Sequence, residues 1–477
     1  MSTRPLALIA AMATLQFGAA CAQTDKTALA VPDDHAERAR AIYEKVISIR
    51  TARGQEKVPE MVAFLVGELK AAGFTDEDIQ VTDYDSAGEH TQGLMVTYRT
   101  PGKPVEQPIV ILGHMDVVDA LAKDWERPPF SLVEEDGYFF GRGTMDNKYG
   151  ITNLVSTFIR LKKEGWAPNR DIVLAFSGDE ETGMISTRAQ ASYVAQNIDP
   201  EFVLNSDAGG GVIGDDGQPL FYRVQGAEKT FATFELTITN PGGHSSRPRA
   251  DNAIYELAEA LRRIEAYKFP VRSTELTRAY FKASGAVTPG SLGEAMVAFA
   301  DNPEDEAAID ALRANPSTVG TTGTTCIATM LRAGHAENAL PQSATATVNC
   351  RIFPGVGAAA TQAKLTEIVD NDAVQFNLIT DVTESPESKL RPDVLSAIES
   401  SLAARGLDVP VIPYMESGGT DGMHYRTLGY DTVAISGAWM NPADMYAHGL
   451  NERLPVAAFY GGLNHWYVIL QDLAGER

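Results

Sequence analysis

Apolar residues recur along this chain with two different periods, and the order in which the periods alternate predicts the architecture. Ile42, Val46 and Ile49 fall on one helical stripe. Val58, Met61, Val62, Leu65 and Leu69 form a second stripe that stops at Gly73. Residues 108–112 (Pro-Ile-Val-Ile-Leu) are an unbroken apolar run of strand length, which reads as a buried strand. A helix is expected over 147–163, with Ile151, Leu154, Val155, Phe158 and Leu161 on one face and Gly165 beyond its end. Residues 172–176 and 202–204 are two more buried strands. Strands alternating with helices in this way predict an α/β fold whose mostly parallel sheet is covered by helices.

Near Gly226 the period changes. Residues 230–239 alternate strictly, with Phe231, Thr233, Glu235 and Thr237 set against Ala232, Phe234, Leu236 and Ile238, the mark of a half-buried strand. A helix over 254–264, a less regular stretch at 266–325, a hairpin of strands 326–333 and 343–353, a helix over 358–369 and a strand at 374–379 follow. Together they describe a smaller α+β unit with one open antiparallel face. After Pro386 the first pattern resumes, with a helix at 394–404, strands at 409–412 and 432–435, and a terminal helix from Pro455. The expected organisation is a larger domain in two parts, 33–226 and 386–477, interrupted by an inserted domain at 227–385.

Length and charge narrow the picture. With 477 residues and 44 % hydrophobic content, the chain can bury a large core. Its 63 acidic against 40 basic residues give a net charge of −23, which repels phosphate backbones and argues against a nucleic-acid partner. Arg4, an apolar stretch from Leu6 to Phe17 and Ala20-Cys21-Ala22 predict a secretory signal peptide over 1–22, and so a periplasmic or secreted protein. Cys21 also permits a lipoprotein anchor, although Gly18 stands where a lipobox prefers Leu or Val. No later apolar segment reaches the ~18 residues a membrane span needs. Beyond Cys21 only Cys326 and Cys350 remain. A hairpin register centred near Asn338 sets them opposite each other, so a disulfide and a pair of buried free thiols both fit.

Candidate chemistry lies where the apolar runs end. The first reaches Gly113-His-Met-Asp116, the second Ser177-Gly-Asp-Glu-Glu181, and the third Asn205-Ser-Asp207. Asp146 stands directly before a predicted helix. Singly, an Asp before a helix is usually an N-cap and paired glutamates are usually solvated. As a set, they aim acids and an imidazole at one rim of an α/β sheet, where such folds bind ligands. Oxygen and imidazole donors without a thiolate suit a hydrolytic metal site.

At this point the chain resembles the M20 metallopeptidase family, the carboxypeptidases, dipeptidases and aminoacylases built on a co-catalytic zinc pair. The motifs are Gly113-His-Met-Asp-Val-Val118, Trp125 with Pro128-Pro-Phe130, Gly141-Arg-Gly143 with Asp146-Asn-Lys148, Asp179-Glu-Glu181, Gly242-Gly-His-Ser245, Asn338 with Arg351 and Pro354, Ser417-Gly-Gly-Thr-Asp421 and Ala447-His-Gly449. The first two are most similar to the carboxypeptidase S-like branch. The resemblance implies a zinc-hydrolase catalytic domain with an inserted, dimerisation-type lid. It implies that Asp146 bridges two metals, with His114 and Asp207 completing one site and Glu181 and His448 the other. Asp116 would orient His114, and Glu180 would be the general base, adjacent carboxylates in extended backbone pointing apart. His244 would be the oxyanion donor from the lid, in several relatives that of the partner subunit; Arg351, Asn338, Gly419 and Thr420 would contact substrate. Without the resemblance His244 reads as a loop histidine and 418–421 as a plain turn. The cofactor would be two divalent ions, Zn²⁺ first, with Co²⁺ or Mn²⁺ also accepted by such ligands.

Asp207 stands where many carboxypeptidases of the family place Glu, and in this it resembles the dipeptidase and aminoacylase members. The expected function is hydrolysis of the amide bond of dipeptides, short peptide C-termini or N-acyl amino acids. A homodimer through the lid, and hinges near Gly226 and 384–389, go with it. The competing class is a non-catalytic peptide-binding protein that retains the fold, but no ligand or base is missing. His424 has no assigned role.

Overall fold

The computed structural model describes residues 30–475; the leader expected at 1–22 lies outside them. Strands Ile109–His114, Ile172–Ser177 and Phe202–Asn205 are almost wholly buried and pair in parallel, with His114 opposite Ser177 and Leu112 opposite Asn205. Strand Thr432–Ala434 continues the parallel run beside Phe202–Asn205. This is the buried parallel centre that continuous apolar runs imply. Antiparallel strands extend both flanks, giving a ten-stranded sheet among the described residues. One flank is the hairpin Ile79–Ser86 and Glu89–Tyr98; the other includes Gly210–Ile213 and Pro219–Glu228. The sequence pattern missed these, because polar residues interrupt both the alternating and the continuous apolar patterns along them.

Helices Asp33–Ser48, Val58–Ala71, Lys148–Glu164 and Val456–Ala474 share one core with the sheet. Helix Lys148–Glu164 ends on Gly165 in the left-handed region (φ 72°), as the sequence suggests. At its other end Lys148 is completely buried, and its Nζ donates to the carbonyls of Val46 (2.8 Å) and Ile49 (2.5 Å). Burial pulls its pKa down to about 7, against the opposing pull of Glu452 and Asp116. This contact ties the end of the first helix beneath the segment that carries Asp146.

The chain leaves the large sheet after Glu228 and enters a second, four-stranded antiparallel sheet at Thr230. Its strands are Thr325–Ala333, Ser343–Ile352, Thr230–Thr239 and Gln375–Leu378, in that order across the sheet. Helices Ala253–Ala266 and Ala358–Val369 cover one face, on which Ala232, Phe234, Leu236 and Ile238 are buried. Cys326 pairs with Cys350 across the register and the two form a disulfide, so of the two states the sequence left open the structure has the bridge. Where the chain returns, the Ser388 amide donates to the Gly226 carbonyl at 2.9 Å, so the two crossings lie side by side.

The stretch 266–325 is more regular than its sequence suggests. It forms helices Glu275–Val287, Ser291–Asp301 and Glu306–Ala314 around Phe281, Met296, Phe299 and Leu312. Each has 9 to 13 residues and buries few large side chains, too little to make a clear stripe. The usable signals were the caps Thr274 and Asp305. Leu276 packs with Ala227, Phe353 and Met415, gluing this helical unit to the junction of the two sheets.

Candidate metal centre

Six side chains from five segments converge at the carboxyl ends of the central strands. His114 Nε2 lies 2.8 Å from Asp146 Oδ1 and 3.4 Å from Asp207 Oδ1. His448 Nε2 lies 2.8 Å from Glu181 Oε1 and 3.1 Å from Asp146 Oδ2. Asp146 thus turns one oxygen to each imidazole. The donor atoms of His114, Asp146 and Asp207 lie within 4.8 Å of one another, as do those of Asp146, Glu181 and His448, and of His114, Glu180 and Glu181.

Close packing puts Asp146 there. A Cβ at Gly113 would stand 2.9 Å from both Asn147 Oδ1 and Ser206 Oγ, so only glycine lets the Asp146–Asn147 segment settle on the strand. The Asp146–Asn147 peptide bond is cis.

Asp116 does more than orient a ring. His114 Nδ1 lies 3.0 Å from the Asp116 carbonyl and 3.5 Å from its carboxylate. That carboxylate accepts the amides of Glu180 and Glu181, each at 3.0 Å. Glu180 and Glu181 therefore sit in a turn, not in the expected extended backbone, and both approach His114 instead of pointing apart. The preceding Asp179 accepts from the Ile185 amide (2.7 Å) and the Ser186 amide and hydroxyl, capping the helix Ile185–Asn197. Three consecutive acids thus have three different tasks.

The electrostatics call for cations. Burial pushes His114 down, yet the carboxylates of Asp207, Asp116 and Asp146 hold it well above its usual range. Hydrogen bonds to Asp146 and Glu181 push His448 up to about 10. Burial pushes Glu180 up despite His114, and Asp207, Asp421 and Glu181 add to the rise. Burial raises Asp207 to about 6 and Asp421 to about 7. Among the described residues no lysine or arginine pairs with Asp146, Glu180, Glu181 or Asp207. Four clustered carboxylates with two imidazoles and no basic side chain make a donor set fitted to two divalent ions.

Beneath this lies an arrangement with no role in the sequence reading. Glu452 is fully buried and accepts Arg142 Nη1 (2.7 Å) and the amides of Gly143 (3.1 Å), Met145 (2.7 Å) and Asp146 (3.1 Å). Arg142 Nη2 also donates to the carbonyls of His448 (3.2 Å) and Gly449 (3.1 Å). One ion pair therefore holds the backbone of Asp146 and of His448, which lie far apart in the chain. The signal available was an arginine and a glutamate near two suspected ligands. Asp421, likewise unassigned, accepts the hydroxyls of Ser177 (2.7 Å) and Thr187 (2.6 Å).

The expected substrate contacts are less direct. Thr420 is buried, and its hydroxyl and amide donate to Glu228 (2.5 and 3.0 Å), which also pairs with Arg426, so this hydroxyl is already committed. Gly419 lines the cleft beside the cluster. Arg351 Nη1 donates to the Ser417 carbonyl at 2.9 Å and its guanidinium lies 4.7 Å from the Phe231 ring, so it joins the two sheets instead of standing free. His244 is exposed on the short strand Gly243–His244, which pairs with Ala339–Leu340 next to Asn338. The Ser245 amide donates to the Asn338 carbonyl at 3.0 Å, so His244 and Asn338 are neighbours on the lid, and neither lines the cleft. His424 is buried and held down to about 4, chiefly by burial.

A two-part α/β core, an inserted antiparallel sheet and this acid–imidazole cluster define a class of hydrolase. The chain belongs to peptidase family M20/M25/M40, whose model matches residues 110–472, and it is an enzyme of that type. It is 30 % identical over 454 residues to N-fatty-acyl-amino acid synthase/hydrolase PM20D1 of Xenopus tropicalis, covering 85 % of this chain and 84 % of that one. It is 29 % identical over 382 residues to "Probable carboxypeptidase S-like 2" of Dictyostelium discoideum, covering 77 % and 72 %. In three dimensions it matches the di-peptidase Dug1p of Saccharomyces cerevisiae with a TM-score of 0.68 at 17 % identity, over 92 % and 96 % of the two chains. Among the described residues no helix is long and apolar enough to cross a membrane.

Proposed function

We propose that this protein is an exported, dinuclear metal-dependent amidohydrolase that cleaves dipeptides, short peptide C-termini or N-acyl amino acids. One observation carries the reading: Asp146 offers one carboxylate oxygen to the His114 side of the cluster and the other to the His448 side. His114, Asp146 and Asp207 would hold one ion, and Asp146, Glu181 and His448 the other, with Zn²⁺ the best match. When bound, such a pair supplies Lewis acidity that brings the pKa of water from 15.7 toward about 7. Burial raises the proton affinity of the Glu180 carboxylate. It takes the proton of the attacking water and returns it to the leaving amine. Asp116 fixes that glutamate through its backbone amide.

His244 Nδ1 accepts from the Ser246 amide (3.1 Å), which leaves Nε2–H as an outward donor suited to an oxyanion. To reach the cluster it must arrive by movement of the lid about the paired crossings at 226–230 and 384–389, or from a second copy. An exposed edge strand, Thr325–Ala333, carries Ile327, Met330 and Leu331 toward solvent, with Ile254 bordering the same surface, one suited to a homodimer. Export is supported by the leader pattern and by the Cys326–Cys350 bridge, since disulfides persist in oxidising compartments.

The test is Glu180→Gln on metal-loaded protein, assayed with a panel of dipeptides and N-acyl amino acids. The expected result is a fall in kcat of about 10²–10⁴-fold with metal content unchanged. Wild-type turnover by the variant, or no turnover by metal-loaded wild type, refutes the reading.

A further inference from the structure

Where the chain passes between its two sheets lies a buried ion pair. Arg426, on the short helix Gly422–Thr427, meets Glu228, the last residue of strand Pro219–Glu228, and their side chains are 1 % and 2 % exposed. Each nitrogen of the guanidinium goes to a different segment. Nη2 donates to Glu228 on the outgoing crossing, Nε to the Ser385 hydroxyl (2.9 Å) on the returning one, and Nη1 to the Thr432 carbonyl (3.0 Å). That carbonyl also accepts the Ser388 hydroxyl at 2.8 Å. Glu228 in turn accepts the hydroxyl and the amide of Thr420 and, at 3.0 Å, the side-chain amide of Gln225.

Thr420 belongs to the loop 417–421. Gly418, Gly419 and Thr420 form one wall of a cavity of about 340 Å³ that Asp146, Asp207 and His448 bound on another side. The inserted sheet holds the start of this loop: Arg351 donates to the Ser417 carbonyl, and the Lys229 amide donates to the Glu416 carbonyl at 3.0 Å. The large sheet holds its end, through the Ser177 and Thr187 hydroxyls on Asp421. The ion pair stands between these two holds.

Stability alone does not account for the pair, because well-packed apolar residues of similar volume often do as well in a buried position. What they lack is donors and acceptors in fixed directions, which is what ties two crossings, the strand Thr432–Ala434 and the cleft loop into one arrangement. A planar guanidinium supplies three such directions, and lysine does not reproduce them.

We propose that Arg426 and Glu228 are positioning residues: the pair couples the seating of the inserted sheet to the position of the cleft wall 417–421, although neither residue lines the cleft. The effect on turnover rests on the amidohydrolase reading; the coupling itself does not. A change at the Ser385 crossing thereby reaches the cleft face beside Asp207 and His448 by way of Arg426, Glu228 and Thr420.

The test is a double-mutant cycle of Ser385→Ala and Thr420→Val, each of which takes one hydroxyl from the pair, the first at the crossing and the second at the loop. It is read first without substrate, as amide hydrogen exchange over 416–422 in metal-loaded protein. Ser385→Ala is expected to speed exchange in the loop about 5-fold in the wild-type background and less than about 2-fold in the Thr420→Val background. Equal effects in both backgrounds, or no effect of Ser385→Ala on the loop, overturn the coupling. The second reading is kcat and KM on the panel of dipeptides and N-acyl amino acids. Arg426→Lys should lower kcat about 10–100-fold per folded, metal-loaded molecule, as misplacement of a cleft wall implies. A lower thermal midpoint with wild-type kcat per folded molecule would make the pair merely structural and overturn the proposal. Should Arg426→Lys fail to fold, the cycle decides by itself. A coupled cycle in a protein that hydrolyses nothing would sink the amidohydrolase reading and leave the coupling standing.

Discussion

Replacing Glu452 by glutamine tests whether the Arg142–Glu452 pair positions the metal ligands or only fills space. The native carboxylate accepts four hydrogen bonds, two at each oxygen. Glutamine keeps one acceptor oxygen, enough for the amides of Met145 and Asp146. The other position becomes a donor that faces the Gly143 amide and Arg142. Arg142, 3 % exposed, then retains the carbonyls of His448 and Gly449 and the Trp125 ring, 5.2 Å from its guanidinium carbon, for its charge. Breaking a buried pair by removing one partner costs about 3–5 kcal/mol, and the Gly143 amide left facing a donor adds about 1–3 kcal/mol. Glutamine relieves part of this by keeping its shape, so a net loss of about 4 kcal/mol is expected. If the pair also positions Asp146 and His448, metal affinity should fall about 10–100-fold, as it does when support behind a ligand is removed.

Urea unfolding of metal-stripped protein reads the first quantity, and chelator competition on folded protein reads the second. Glu60→Gln, which removes exposed pairs with Lys57 and Lys45, serves as the control and should leave the denaturant midpoint unchanged. A Glu452→Gln variant that loses stability yet binds metal within 2-fold of wild type, about 0.4 kcal/mol, would refute the positioning role. Unchanged stability would refute the reading of the buried pair itself.

Cys326→Ala with Cys350→Ala opens a loop of 24 residues and should lower stability by about 3 kcal/mol on the chain-entropy relation, read as a shift in the denaturant midpoint. Gly113→Ala forces a methyl against Asn147 and Ser206 and should cost about 1–3 kcal/mol as overpacking, with metal retention falling alongside; unchanged thermal midpoint and metal content would refute the close-packing account. Burial lowers His35 and His424 to about 4, and His465 well below its usual value. The unfolded chain therefore binds more protons between about pH 4 and 6.5, and stability should fall as pH drops through that window. His35→Asn should flatten the slope of denaturant midpoint against pH; an unchanged slope refutes the assignment.

The parts of this molecule that could be read from sequence are those where one face of one element decides the outcome. The runs at 109–112, 172–176 and 202–204 are buried on both sides, so hydrophobicity alone announces them, and their ends announce the acids. Residues 230–239 are buried on one side, and strict alternation shows it. Where burial is shared among many small contributions the pattern fails, as in the three short helices between 275 and 314. The hairpin Val133–Glu135 and Tyr138–Phe140 was also passed over, although Asp136-Gly137 (φ 51° and 81°) is a strong two-residue turn signal.

The same distinction separates the ligands from what holds them. A ligand declares itself by residue type at a strand end, because metal chemistry admits few donors. Its support does not, because a buried Glu or Arg elsewhere in the chain looks like any surface charge until the fold closes on it. Arg142 and Glu452 are separated by 310 positions, and neither has a periodic neighbourhood that marks it as buried. Thr420 is the converse, a residue whose motif suggested substrate contact while its hydroxyl is spent on Glu228. Residue type thus indicates which chemistry is possible, and only the packing around each group decides whether its donors are free to perform it.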